Sequence, residues 1–83
     1  MNLNDIPLNE KVAVYLITGG IIGGIVVERN KDWVRLRDAF DINEEKVSGP
    51  MGAYYGKGLA RGRVEIPFTS VSHWVTLNSI GLS

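Results

Sequence analysis

Few residues in this chain could do covalent chemistry. The one histidine, His73, lies in Ser72-His73-Trp74, and a serine beside a histidine suggests a nucleophile with its base. Adjacent residues on a strand point to opposite faces, however, and no carboxylate stands nearby in sequence to orient the imidazole. A hydrogen-bonded strand or interface histidine fits better. The pair Glu44-Glu45 reads more simply as a solvated face than as an acid and base. With no cysteine and carboxylates at no ligand spacing, a zinc site is not expected. The sequence therefore predicts no catalytic residues, no metal, no cofactor and no enzyme activity.

Binding chemistry is better represented. Trp33 alternates with Arg35 and Arg37, and the segment before it holds Arg29, Asn30 and Lys31. A base could stack on the indole while the cations meet phosphates; the competing reading has the arginines paired with Asp38 and Asp41. A second basic and aromatic stretch follows, Gly49-Pro50-Met51-Gly52-Ala53-Tyr54-Tyr55-Gly56-Lys57-Gly58-Leu59-Ala60-Arg61-Gly62-Arg63. Its glycines resemble a phosphate loop, but such a loop opens a helix, and here a strand is expected next. Tyr54, Tyr55, Lys57, Arg61 and Arg63 remain as a candidate accessory contact surface for RNA or for a protein partner.

Charge and length set the frame for these residues. Nine basic and nine acidic residues give no net charge over 83 residues, which excludes a nonspecific polycation and limits the chain to one domain with a modest core. Residues 38–45 carry four acids and no base, and residues 46–64 four bases and no acid. That segregation predicts one acidic and one basic edge. The uncharged run at residues 12–27 is sixteen residues long, short of the roughly 20 that a membrane helix needs. No secretion pattern is seen at residues 1–13, so no membrane association and a cytoplasmic location are expected.

The elements follow from periodicity. Residues 1–10 read as a lead-in with at most a short helical turn. Val12, Val14 and Leu16 alternate with Ala13, Tyr15 and Ile17, the period of a strand. Gly19-Gly20 should reverse the chain in a tight primed turn, and residues 21–28 form a second strand bent at Gly23-Gly24. After a polar turn, residues 33–37 make a third strand with Val34 and Leu36 inward. Residues 41–62 read as a long connection, in which residues 41–47 form either an acidic helical turn or a hairpin extension. Val64, Ile66 and Phe68 mark the inward face of a fourth strand whose Pro67 places it at a sheet edge or strand end. After a short corner at Thr69-Ser70, residues 71–77 form the fifth. The fold expected is all-β: a small, strongly bent, five-stranded antiparallel barrel of SH3-like type.

The order of these motifs resembles the Sm-like family, which includes the LSm proteins and bacterial Hfq. Val12-x-Val14-x-Leu16-x-x-Gly19-x-x-Ile22-x-Gly24-x-Val26, with Val34-x-Leu36-x-Asp38-Ala39 after the polar turn, is similar to the family's first motif. Ile66-Pro67-Phe68-Thr69-Ser70-Val71-Ser72 is similar to the second. The resemblance implies a homo-oligomeric ring of about five to seven subunits that binds single-stranded RNA. It implies RNA contacts at Arg29, Asn30, Lys31 and Trp33 in the first turn and at Thr69 in the second. It also implies edge-to-edge joining of subunits through Val64, Ile66 and Phe68 of one and Val71, His73 and Val75 of the next. In the second turn the family has Arg-Gly or Tyr-Lys-His where this chain has Pro67-Phe68-Thr69. The alternative function is therefore a structural or adaptor ring subunit that binds a protein partner and has lost RNA recognition.

Overall fold

Alternating apolar residues become paired strands throughout the computed structural model, which describes the backbone of residues 2–46 and 53–77 and the side chains of 2–43 and 56–77. The strands are β1 (Lys11–Leu16), β2 (Ile21–Arg29), β3 (Trp33–Lys46), β4 (Ala53–Pro67) and β5 (Val71–Thr76), with 3-10 turns at Leu3–Asp5 and Phe68–Ser70. They form one all-antiparallel sheet in the order β4-β3-β2-β1-β5. The apolar run at residues 12–27 is thus β1, a turn and most of β2. No helix among the described residues is long and apolar enough to cross a membrane.

The chain reverses at Gly19 as expected, by a different turn. Gly19 N–H donates to the Leu16 carbonyl at 2.9 Å and Leu16 N–H to the Gly20 carbonyl at 2.8 Å. Those bonds define a three-residue loop ending in a bulge, in which one residue, Gly19 at φ 101, takes the left-handed conformation. The bend in β2 has a packing cause. A Cβ at Gly23 would lie 2.7 Å from Cζ of Phe40 and 2.9 Å from Cδ1 of Ile42, so the bare backbone is what lets β3 lay its ring across β2. The β2–β3 register slips between Gly23 and Ile25, and the sheet curls there.

The curl encloses the main core. Val12, Val14, Val26, Val34, Leu36, Ala39, Ile66 and Val71 are buried together, with Leu16, Val64, Phe68 and Trp74 packed at the margin. The inward residues named from alternation all belong to this cluster. Ile6 joins it with no exposed surface, because the N-terminal turn is tied down from two sides. Arg29 Nε donates to the Ile6 carbonyl at 2.7 Å, and Trp74 Nε1 to the Leu3 carbonyl at 3.0 Å. On the opposite face Ala13, Ile21, Ile42 and Leu77 form a smaller cluster with Tyr15, Phe40 and Val75.

The connection expected over residues 41–62 is not a connection. β3 continues to Lys46 and β4 begins at Ala53, and the two pair from Trp33↔Pro67 out to Lys46↔Ala53. Residues 41–46 therefore extend a hairpin and form no helical turn, and the glycine-rich stretch is mostly β4. Asp38 (φ 50) and Gly62 (φ 68) both take left-handed conformations where the β3–β4 register slips on either side of Ala39. They turn a corner between the part of the hairpin that wraps the core and an arm beyond it. The acidic and basic runs are consequently neighbouring strands, not separate edges: Arg61 holds Asp41 through two bonds of 3.0 Å.

Candidate nucleic-acid interface

The β2–β3 turn is built by Asn30. Its Oδ1 accepts from the N–H groups of Asp32 at 2.8 Å and Trp33 at 3.0 Å, and its own N–H donates to the Trp33 carbonyl at 3.0 Å. An Asn suits this place because its short side chain can mimic a backbone turn. The Asp32 carbonyl then accepts from Phe68 N–H at 2.9 Å, which brings the β2–β3 turn against the β4–β5 corner. Between them and the N-terminal turn lies an open cleft of about 400 Å³ lined by Asn2, Leu3, Asn4, Lys31 and Phe68. Lys31 and Thr69 are exposed beside it. In the sequence Asn2 and Asn4 belong only to a lead-in, and nothing local says that residue 4 will face residue 31.

The cations expected to meet RNA have largely been given other partners. Arg29 spends its Nε on the Ile6 carbonyl. Trp33, half-buried, carries the Arg35 guanidinium 4.2 Å from its ring centroid, and Arg35 bridges Glu28 at 2.8 Å and Glu65 at 2.9 Å. The hydrogen bond that Arg35 donates to Glu65, opposed by desolvation and supported by the charges of Glu28 and Glu65, holds Arg35 above the ordinary arginine range. Hydrogen bonding to Asp41 does the same for Arg61. Arg37 pairs with Asp38 at 2.6 Å. Of the arginines beside Trp33, Arg37 alone takes an expected acid, Asp38; Arg35 takes Glu28 and Glu65, and Asp41 is held by Arg61.

The second group of candidates stands apart from the first. Lys57 lies opposite Ile42, nine positions along β3 from Trp33, or about 30 Å of strand. Its Nζ sits 5.2 Å from the Phe40 ring centroid. Arg63 lines a groove of about 370 Å³ with Val27, Glu28, Arg35, Val64 and Glu65. The backbones of Tyr54 and Tyr55 pair with Glu45 and Glu44; their side chains lie outside those described.

Hydrogen-bond parity changes which residues face the sheet edges. The Phe68–Asp32 bond makes that pair hydrogen-bonded, and the same register makes Val34↔Ile66 and Leu36↔Val64 hydrogen-bonded too. Val64, Ile66 and Phe68 thus bond inward to β3, and Arg63, Glu65 and the carbonyl of Pro67 face the open side. The same reasoning from Leu16 N–H to the Gly20 carbonyl has Ala13 and Tyr15 bonding to Val75 and His73. Trp74 turns its backbone outward instead, and the register slips at Ser72, the extra residue between Tyr15↔His73 and Leu16↔Val71. Val64, Ile66, Phe68, His73 and Val75, expected at the subunit interface, therefore bond into the sheet, and Ile66 and Val71 have core side chains.

His73 stacks on Tyr15 with ring centroids 4.3 Å apart. Ser72 Oγ lies 3.1 Å from His73 Nδ1, closer than strand alternation suggested. No carboxylate is bonded to this imidazole among the described residues, nor do three or more acidic or histidine side chains gather there as metal ligands. No family model, curated protein or solved structure matches the chain.

Proposed function

We propose that the chain is an Sm-like ring subunit that binds cytoplasmic single-stranded RNA where the β2–β3 turn meets the β4–β5 corner. The observation that carries this reading is the Phe68–Asp32 contact, which gathers Asn30, Lys31, Trp33 and Thr69 at one end of a sheet whose outer strands are β4 and β5. Lys31 supplies a cation for phosphate. Asn30, with its oxygen engaged by the turn, keeps its amide N–H groups for a base. Stacking on Trp33 from the side of Arg35 has to displace a guanidinium held by two carboxylates, so Lys31 and Asn30 make the first contacts. Ring closure joins Arg63 and Glu65 of one copy to the outward backbone of Trp74 in the next and removes both exposed edges.

Native mass measurement and anisotropy of a labelled oligouridine test the proposal together. The expected result is a closed multimer whose RNA affinity falls with salt, with a slope shallower by roughly 0.7 per lost phosphate contact in Lys31→Ala. A monomer at micromolar concentration, silent toward RNA at low salt, sinks it. One observation favours the second reading, an adaptor ring that binds protein: Arg35, Arg37 and Arg61 are all neutralised within the chain. Intact rings that ignore oligouridine decide for it.

A further inference from the structure

The face of the sheet that carries the smaller cluster also holds a cavity that the RNA contacts leave unused. The β1–β2 register runs unbroken from Tyr15↔Ile21 to Lys11↔Ile25, so Lys11 and Ile25 share the face of Ala13, Ile21 and Gly23. Phe40 lays its ring against the bare Gly23 on that face. Lys57, opposite Ile42 on β4, places its Nζ 5.2 Å from the centroid of the same ring. Lys11, Gly24, Ile25, Asp38, Phe40 and Lys57 together line a cavity of about 240 Å³. Two lysines from strands at different places in the sheet order β4-β3-β2-β1-β5 thus open onto one space.

The charge of this cavity is unbalanced. Among the described residues neither Lys11 nor Lys57 has an ion-pair partner, whereas Arg35, Arg37 and Arg61 all do. The one carboxylate on the lining, Asp38, is held by Arg37 at 2.6 Å, which weakens its repulsion of an incoming anion. Ile25 and Phe40 are half-buried and offer an apolar wall beside the two ammonium groups. Lys57 already rests over the Phe40 ring, so little side-chain entropy is lost when it meets a ligand. Pockets for drug-sized molecules measure about 300–1,000 Å³, and this smaller space suits a ring or fused pair of rings with one charged group. A nucleic-acid strand or an acidic peptide follows cations set out in a row; here the two lysines address a single point.

We propose that the cavity between Lys11, Phe40 and Lys57 binds a small organic anion, a carboxylate or phosphate group on a flat apolar body. The charge lies between the two ammonium groups and the body against Ile25 and Phe40. The site shares no residue with the contacts proposed for RNA and does not depend on them. The probes are naphthoate and naphthyl phosphate, titrated separately against the full chain and followed by two-dimensional NMR of the backbone amides. Saturable shifts centred on Gly24, Ile25 and Phe40 are expected, with whichever probe binds tighter naming the headgroup. Neutral naphthamide should bind about tenfold or more weaker than naphthoate, and inorganic phosphate should likewise fall behind naphthyl phosphate. Lys11→Gln and Lys57→Gln should each weaken binding about threefold to tenfold, and Lys57→Arg should not, with the fold checked by circular dichroism. No binding of either probe, naphthamide as tight as naphthoate, inorganic phosphate as tight as its naphthyl ester, or full affinity in both glutamine variants each overturns the proposal. Displacement of the bound probe by oligouridine also overturns it, because the cavity then belongs to the path of a nucleic acid. Oligouridine that binds without displacing the probe supports two separate sites. Oligouridine that binds nowhere, with the probe still held, removes the RNA reading alone.

Discussion

Glu65→Pro separates assembly from folding. The Glu65 N–H faces the open side of β4, so proline removes nothing from the β3–β4 ladder, and Val64 before it lies in the extended strand that a following proline demands. At an interface between copies the substitution deletes one backbone hydrogen bond, about 0.5–1.5 kcal/mol net. It also strands the opposing carbonyl, at about 1–3 kcal/mol. The sum, about 2–4 kcal/mol per interface, weakens association roughly 30- to 1000-fold. Within the chain only the exposed pair with Arg35 is lost, and such a surface pair contributes little. His73→Pro is the control: its N–H points at β1, and it should cost about 3 kcal/mol of stability. Sedimentation velocity over a range of concentrations, with urea unfolding of both variants, reads the two effects separately. Glu65→Pro that assembles like the parent, or unfolds as early as His73→Pro, refutes the edge assignment.

Two further substitutions probe the fold. Leu36→Ala, at a site with no exposed surface against β2 and β4 partners, should lose about 2–5 kcal/mol by urea denaturation. Gly23→Ala drives a methyl into Phe40 and Ile42 and should cost about 1–3 kcal/mol. Adding Phe40→Leu should recover at least about 0.5 kcal/mol in a double-mutant cycle.

The wrapped part of the sheet was legible because one face is buried and strand period shows it: Val12, Val14, Val34, Leu36 and Ile66 alternate and all reach the core. The arm was not legible. Its β4 strand contains Gly56, Gly58 and Gly62, residues of low strand propensity, and its pairing depends on partners such as Asp41 and Arg61 twenty positions apart. The same long-range pairing misled the charge reading, since segregation along the chain became neutralisation across two strands. Of the candidate site, Asn30 and Lys31 were found where a polar turn belongs. The fate of Arg29 was not, because its partner is a backbone carbonyl twenty-three residues earlier, and a carbonyl leaves no mark in a sequence.

The pairing of β1 with β5, from Val12↔Thr76 to Leu16↔Val71, bears on how the chain reaches this state during synthesis. Hairpins β1–β2 and β3–β4 are local and can form early, but the free side of β1 stays without its mate until some sixty residues more have been made. Contacts of such separation carry a high loop-closure cost, which places folding in the millisecond-to-second range. Through that interval β1 offers a nascent chain's neighbours an unprotected apolar strand. The tie from Trp74 to Leu3 is then the latch that fastens the N-terminal turn once β5 has docked.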